Sequence, residues 1–362
     1  MTIARRLGGM ERLFHQQNSI GSSNLCGILS YEGSLDLSTL PAALAKVQAT
    51  YPRLLSSIDA DPVLSYQPRA GAIPFRVIDR QDDEHWRLIV REEVRRHYEQ
   101  ERIFVTILQG ADRGEIIVAA DHTLADAKSV TAICECFIAG MNGRASPPVP
   151  IGEAWEERLP TFHKGWRAFF RMIFFIRNLF RRAPKQSLIF GKDVPSYHTQ
   201  TAGFVLDEAT LQKLKLAIER EKTNLNALFC AASMLAAFES FSAEEAGVVC
   251  LNTPVSLREQ IDPPASPQEL GLFVSAFLQW QPVNRTTDIW QLSRNIKERL
   301  RSGVQAGESI LLGKLANGPK RPAPPKPDKV RKRFEHSICV SNPGRMPPFE
   351  DLPKARIVAF RT

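Results

Sequence analysis

Glu115-Ile116-Ile117-Val118-Ala119-Ala120-Asp121-His122-Thr123-Leu124-Ala125-Asp126-Ala127 carries the decisive pattern of this chain. Glu115 to Ala120 reads as a strand, joined through the Gly110-Ala111-Asp112-Arg113-Gly114 turn to another over Ile103 to Leu108. The strand runs directly into Asp121-His122. Beyond the loop, Val130, Ile133, Cys134, Phe137, Ile138 and Met141 fall on one helical face. A strand end therefore delivers a histidine, and an aspartate follows four residues later at a helix start. A histidine so placed can face a cavity at little burial cost. Its ordinary pKa of about 6.5 leaves it largely neutral and able to accept a proton at pH 7. General base catalysis of that kind is worth about 10² to 10⁴ in rate. Plainer roles fit the same residues. An H-x-x-x-D spacing is common by chance. Asp126 can simply cap the helix through the N–H near Ser129, and a metal would need a third ligand that is not close by.

Upstream, Leu25 to Tyr31 alternates as a half-buried strand does. Leu37, Leu40, Ala43, Leu44 and Val47 recur at helical spacing, with Ser38 placed as N-cap and Pro52 as stop. A charged helix is expected from Glu84 to Glu99. Downstream, the Pro-rich Ser146 to Gly152 reads as a linker. A second unit begins near Ser196, with a strand at Gly203 to Leu206 and helices at Ala209 to Glu221 and Asn226 to Phe238. Strands follow at Val248 to Pro254 and Phe273 to Gln281, then a helix at Ile289 to Val304 and a strand at Ser337 to Ser341. Asn317 to Asp328 is Pro- and Lys-rich and is expected to be an exposed, mobile loop. The expected division is a lobe over 1–150, a linker over 151–195 and a second lobe over 196–362.

Bulk properties narrow the function only broadly. A chain of 362 residues accommodates two ordinary lobes. With 43% hydrophobic and 24% charged residues it can bury a sizeable core. A net charge of +8 favours anionic partners such as a phosphate-bearing substrate, an acidic carrier protein or a membrane surface. The cysteines, Cys26, Cys134, Cys136, Cys230, Cys250 and Cys339, form no C-x-x-C and mostly lie in apolar runs. They read as reduced core residues. The basic start lacks the apolar stretch of a secretion signal, and no apolar run reaches the roughly 18 residues of a membrane span. A cytoplasmic location is expected, with peripheral membrane contact open.

Two further segments complete a pattern. Leu251-Asn252-Thr253-Pro254-Val255-Ser256-Leu257-Arg258 is followed by Gly271-Leu272-Phe273-Val274-Ser275, and Val340-Ser341-Asn342-Pro343-Gly344-Arg345 closes a strand. With the His122 segment, these resemble condensation domains and related chloramphenicol-acetyltransferase-like acyltransferases. That superfamily includes the mycobacterial phthiocerol dimycocerosyl transferases and the plant H-x-x-x-D acyltransferases. His122 matches the second histidine of their HHxxxDG motif and Asp126 its structural aspartate. Asp121 replaces the first histidine, which is absent in the plant branch, and Ala127 replaces the glycine. Gly33 to Leu55, with Tyr51-Pro52-Arg53-Leu54, resembles the family's opening helix. Thr223 to Leu228 resembles the start of its buried second-lobe helix. The resemblance thus spans nearly the whole chain in order.

What it implies is an α/β fold of two sandwich lobes with the site between them. The second lobe would be shortened, since relatives continue well past the S-N-x-G turn. The implied reaction is acyl transfer from a thioester, on coenzyme A or a phosphopantetheinyl carrier protein, to a hydroxyl or amine. His122 would be the base, Asp126 structural, Arg258 its ion-pair partner, and Ser256, Ser341 and Asn342 candidate oxyanion donors. No metal or permanently bound cofactor is required. Amide-forming condensation in peptide synthesis is an alternative. So is an inactive protein that binds an acyl carrier or a membrane, suggested by Asp121, Ala127 and the short C-terminal region.

One segment stands apart. His163 to Lys185 interleaves Trp166, Phe169, Phe170, Ile173, Phe174, Phe175, Ile176, Leu179 and Phe180 with Lys164, Arg167, Arg171, Arg177, Arg181, Arg182 and Lys185. On a helical wheel the basic residues gather on one arc, Phe170 and Phe174 excepted from the segregation. Such a helix can lie in a membrane interface, or its apolar face can cover the lobes or an acyl tunnel. No nucleic-acid-binding motif accompanies the charge.

Overall fold

A computed structural model describes residues 5–20, 24–59, 65–68, 70–98, 101–185, 187–188, 202–316, 337–345 and 348–362. The first part holds β1 (Arg5–Arg6), α1 (Gly9–Ile20), β2 (Leu25–Gly33), α2 (Leu40–Thr50), β3 (Ser56–Asp59), β4 (Ser65–Pro68), β5 (Phe75–Asp79), α3 (His85–Val94), β6 (Ile103–Gln109), β7 (Arg113–Ala120) and α4 (Ala127–Met141). Then come α5 (Gly165–Arg182), α6 (Glu208–Arg220), α7 (Leu225–Phe241), β8 (Ala246–Asn252), β9 (Val255–Ser256) and β10 (Val274–Ser275). The last elements are β11 (Leu278–Asn284), α8 (Ile289–Gln305), α9 (Glu308–Ala316), β12 (Ile338–Cys339) and β13 (Ala355–Arg361).

Ile116 to Ala120 of β7 are all fully buried. A strand without an exposed face needs cover on both sides. β7 accordingly sits at the centre of a five-stranded sheet of order β13-β2-β7-β6-β5. α2 and α4 close one face through Leu40, Leu44, Val47, Ile133 and Phe137. α3 closes the other, with Ile89 and Val90 against Ile28, Leu108 and Ile117. The second lobe is built on the sheet β11-β8-β12. α7 and α8 bring Met234, Phe238, Leu292 and Ile296 onto Val249, Leu251 and Val283. Strand alternation turns Trp280 to the opposite face, where it meets Phe175 and Leu179 of α5 and Leu311 of α9. The result is two α/β lobes, each with a helix-covered sheet.

Several local expectations are corrected. The helix near residue 40 is preceded by a 3₁₀ turn at Leu37–Thr39. Its cap is Asp36, which accepts both the N–H (3.1 Å) and the hydroxyl (2.6 Å) of Ser38, so Ser38 is a donor and not the cap. Gly203 to Leu206 is no strand: Phe204 and Val205 are exposed and have no sheet neighbour among the described residues. The run Phe273 to Gln281 divides between β10, paired with β9, and β11, paired with β8. The helix expected over Glu84 to Glu99 ends at Val94. All six cysteines are free thiols, but Cys339 is exposed. The Asn317 to Asp328 loop and the 195/196 boundary lie outside the described residues.

The segment 196–362 does not stay in the second lobe. β13 pairs antiparallel with β2, from Ala355 opposite Gly33 to Arg361 opposite Ile28. It covers an edge of unpaired N–H and C=O groups that β2 would otherwise present. Gly33, at φ +114°, admits this approach, since a Cβ there would sit 2.3 Å from the Lys354 carbonyl.

α1 lies over the lobe junction and is anchored by ions. Glu11 is buried, accepts the Gly8 N–H at 2.7 Å and pairs with Arg53 at 2.6 Å and with Arg5. Burial pushes its carboxyl up, but the Arg53 and Arg5 guanidiniums outweigh that and hold it below the usual carboxylate range. Arg53 also stacks on Tyr66, 4.2 Å from the ring centroid, and the Tyr66 hydroxyl donates to the Thr123 carbonyl at 2.8 Å. Glu11→Gln should cost about 3–5 kcal/mol in urea unfolding, because it leaves Arg53 buried without its counter-ion. The wild-type margin should be full above the ordinary carboxylate range. It should vanish as pH falls through the lowered pKa of Glu11.

Candidate active site

The loop after β7 is shaped by Asp121, which is wholly buried. Its Oδ2 accepts from Arg102 Nη1 at 2.8 Å, and its Oδ1 accepts from Asn18 of α1 (2.7 Å) and from the Thr123 N–H (2.8 Å). The backbone closes a turn behind it, Leu124 N–H donating to the Asp121 carbonyl at 2.9 Å. These bonds leave His122 half-buried at the loop's crest. Its Nδ1 stands 2.9 Å from the Ala125 carbonyl. A carbonyl only accepts, so Nδ1 carries the proton and Nε2 keeps its lone pair. Phe14 of α1 lies against the imidazole, ring centroids 4.1 Å apart and planes inclined 34°. Burial pushes the His122 pKa below the ordinary imidazole value; its bonds to backbone and the Asp126 and Asp121 carboxylates oppose this and lose. The balance favours the neutral imidazole.

Asp126 has a different task. It caps α4, accepting the Ser129 N–H at 2.8 Å, and its Oδ1 also meets Arg258 Nη2 at 2.9 Å. Its Oδ2 accepts the Phe273 N–H of the second lobe at 3.2 Å. Among the described residues no hydrogen bond joins it to His122. The Ser129 hydroxyl accepts from Arg258 Nη2 (2.9 Å) and the Gly271 N–H (3.1 Å), with the Asp126 carboxylate and the Gly271 carbonyl in reach of its proton. Arg258 Nη1 donates to the Ser266 and Glu269 carbonyls, both at 2.9 Å, and the guanidinium lies 4.6 Å from the Phe273 ring centroid. Gly271 has no side chain because a Cβ would stand 2.5 Å from that ring.

The remaining sequence candidates lie on the second lobe. Ser256 is exposed on β9, its Oγ 3.5 Å from the Arg258 N–H. β12 runs parallel to β8, so Ser341 and Asn342 follow the strand end adjacent to Asn252, the end from which the chain leads on to Arg258. Both are exposed, and Asn342 Oδ1 accepts the Gly344 N–H at 2.8 Å, leaving its amide N–H groups free of that bond. No described hydrogen bond links these three to the His122 loop. A cavity of ≈ 580 Å³ between α2 and α4, lined by Tyr51, Glu135, Cys136 and Phe349, does not include His122 and lies apart from this site.

Phe14, Asn18 and Arg102 have no place in the sequence reading, and of Ser129 that reading reaches only the capping N–H. For α1 a signal exists: Met10, Leu13 and Phe14 stand at helical spacing, and all three join Trp155, Leu272 and Phe273 in one apolar cluster. Arg102 carries no local pattern that separates it from surface residues, and nothing in the spacing shows that the Ser129 hydroxyl meets Arg258.

The two helix-covered α/β lobes have the condensation-domain, chloramphenicol-acetyltransferase-like fold. More narrowly, residues 196–362 match the family model described as phthiocerol/phthiodiolone dimycocerosyl transferase C-terminus. Among solved structures the chain is similar to polyketide synthase associated protein 5 from Mycobacterium tuberculosis, with TM-score 0.68 and 17% identity over 99% of this chain and 86% of that one. It is also similar to the first condensation domain of the CDA synthetase (TM-score 0.65, 15% identity, 84% and 77% covered). A third is the epimerization domain from the third module of tyrocidine synthetase B (TM-score 0.66, 14% identity, 88% and 76% covered). No curated protein sequence matches the chain. These likenesses carry the fold; an epimerization domain among them shows that the fold alone does not set the reaction.

Asp126→Asn should cost about 3–5 kcal/mol of stability, since Arg258 would keep its burial and lose its charge partner. Asp126→Asn and Arg258→Gln together should cost less than the sum of the two singles, because each removes the same contact. Denaturant unfolding of the four proteins measures this, and strict additivity would argue against the coupling.

Proposed function

We propose that the protein transfers an acyl group from a thioester, on coenzyme A or a phosphopantetheinyl carrier, to a hydroxyl or amine acceptor. The observation that carries this reading is the fixed tautomer of His122, with Nδ1–H spent on the Ala125 carbonyl and Nε2 free to take a proton. In the proposed step the acceptor's hydroxyl or amine attacks the thioester carbonyl while Nε2 removes its proton. The tetrahedral intermediate then collapses, the C–S bond breaks, and Nε2 returns the proton to the thiolate. No acyl-enzyme is needed. Asp126 and Arg258 do not meet the reacting atoms in this scheme; they hold the loop and fix the second lobe against it.

The developing oxyanion needs donors, each worth about 10² to 10³ in rate. Ser256, Ser341 and the Asn342 amide are the candidates, on the second-lobe segments that lead to and flank Arg258. The choice of acceptor separates ester formation from the amide-forming reaction of a condensation enzyme, since the base geometry suits both.

The test is thiol release from a panel of acyl-coenzyme A and acyl-pantetheine thioesters, with alcohol and amine acceptors supplied separately. His122→Ala should lower turnover by about 10² to 10⁴ with an unchanged circular dichroism spectrum. Near-normal turnover by that variant would sink the assignment, and a wild-type protein that turns over no thioester would favour a binding role without catalysis.

The pH profile gives an independent check. Only neutral His122 can act, so kcat should fall as acid protonates it. Because burial lowers its pKa, the acidic limb should lie below the ordinary value of about 6.5. A limb at or above that value would contradict the desolvation of the imidazole.

A further inference from the structure

The basic aromatic stretch leaves α5 with a face that neither lobe uses. Ala168, Phe175 and Leu179 form its buried stripe, the last two packed on Leu311 of α9, and Ile176 is half-buried beside them. Away from that stripe Trp166 is 69% exposed, Phe174 65%, Phe169 63% and Phe170 61%, and Ile173 and Phe180 are exposed too. A cover over the lobes would have hidden Phe169, Ile173 and Phe180. Single apolar side chains on a surface are ordinary, but six bulky ones on one helix mark an interaction site.

The charges say what kind. Gly165–Arg182 holds five arginines and no acidic residue. Arg182 pairs with Glu308 at 2.8 Å, and Arg171 donates to the Ala306 carbonyl at 3.1 Å, so these two tie the helix to the protein. Arg177 and Arg181 stand among the exposed aromatics, with no carboxylate partner among the described residues. Two copies meeting through this face would set arginines against arginines with nothing to neutralise them. An acidic carrier protein would answer the charge but not the length of aromatic surface. A helix lying along the protein surface, aromatic and arginine-rich outward, matches the interfacial helix, which buries apolar groups at the acyl boundary and sets cations on lipid phosphates. No helix among the described residues is long and apolar enough to cross a membrane, so the contact is with one face of it.

We infer that α5 holds the protein on anionic membranes, with Trp166, Phe169, Phe170, Ile173 and Phe174 inserted at the interface and Arg167, Arg177 and Arg181 on lipid phosphates. α5 packs on α9, and α9 on α1, whose Phe14 touches His122, so the membrane contact is two helices removed from the candidate base.

Co-sedimentation of the full chain with phosphatidylcholine vesicles, with and without phosphatidylglycerol, tests this. Binding should require phosphatidylglycerol and weaken with salt. The triple variant Phe169→Ser, Phe170→Ser, Ile173→Ser and, separately, Arg177→Glu with Arg181→Glu should each lower partitioning at least about tenfold. Their melting temperatures should stay at the wild-type value, since these side chains lie outside the buried stripe. The vesicle-induced blue shift of tryptophan emission should be lost in Trp166→Phe. A wild-type protein that ignores phosphatidylglycerol vesicles at low salt overturns the inference. So does vesicle binding that survives both variants. A serine variant that only changes oligomeric state, or only loses an acidic protein partner, also overturns it.

Discussion

The carboxylate of Asp126 is where the two lobes become one molecule. It closes the first turn of α4 in the N-terminal lobe and receives Arg258 and the Phe273 N–H from the C-terminal one. The Ser129 hydroxyl doubles the connection through Gly271. All of these groups are buried, so each must be matched locally. Arg258 spends both terminal nitrogens within a few ångströms, two bonds on backbone carbonyls and two on the Asp126–Ser129 pair. Such a junction tolerates little sliding, because any shift strands several polar groups at once. The position of His122 relative to the second lobe is inherited from it.

His122 itself is oriented by a backbone carbonyl and not by a carboxylate. A carboxylate hydrogen-bonded to the imidazole would favour the charged form and raise its pKa. Here the nearest aspartates are occupied elsewhere, Asp121 by Arg102 and Asn18, Asp126 by Arg258. Their charges are largely compensated before they reach the ring. Phe14 adds an apolar wall. The arrangement favours the neutral imidazole and a single tautomer, as the proposed proton acceptor requires.

Much of this was legible in the sequence because it is local. A continuous apolar run predicts a strand covered on both sides, and β7 is such a strand. The Asp126 cap and the amphipathic pattern of α4 define the turn that presents His122. The contact between Asp126 and Arg258 followed from resemblance alone, since nothing in the spacing joins residues so far apart. Other parts escaped for physical reasons. The buried pair of Glu11 and Arg53 carries no local signal, because its burial depends on partners brought together from β4 and α1. Phe204 and Val205 read as strand residues, because their apolar character is local and the absence of a neighbouring strand is not. β13 was missed because its alternation is short and its partner β2 lies at the other end of the sequence. The short C-terminal region, read as a loss to the second lobe, contributes a strand to the first.

That returning strand has a consequence for how the protein comes into being. The outer edge of the N-terminal sheet is filled by β13, which is synthesised long after β2 and after the strands of the second lobe. While a ribosome is still making the second lobe, β2 has no outer neighbour, and the first lobe waits in an incomplete state that invites pairing with other chains. Pairing of strands so far apart in sequence also raises contact order, which slows folding. Maturation of the site is thereby tied to the synthesis of β13. A nascent or prematurely terminated product can carry the His122 loop and still lack the finished sheet on which that loop rests.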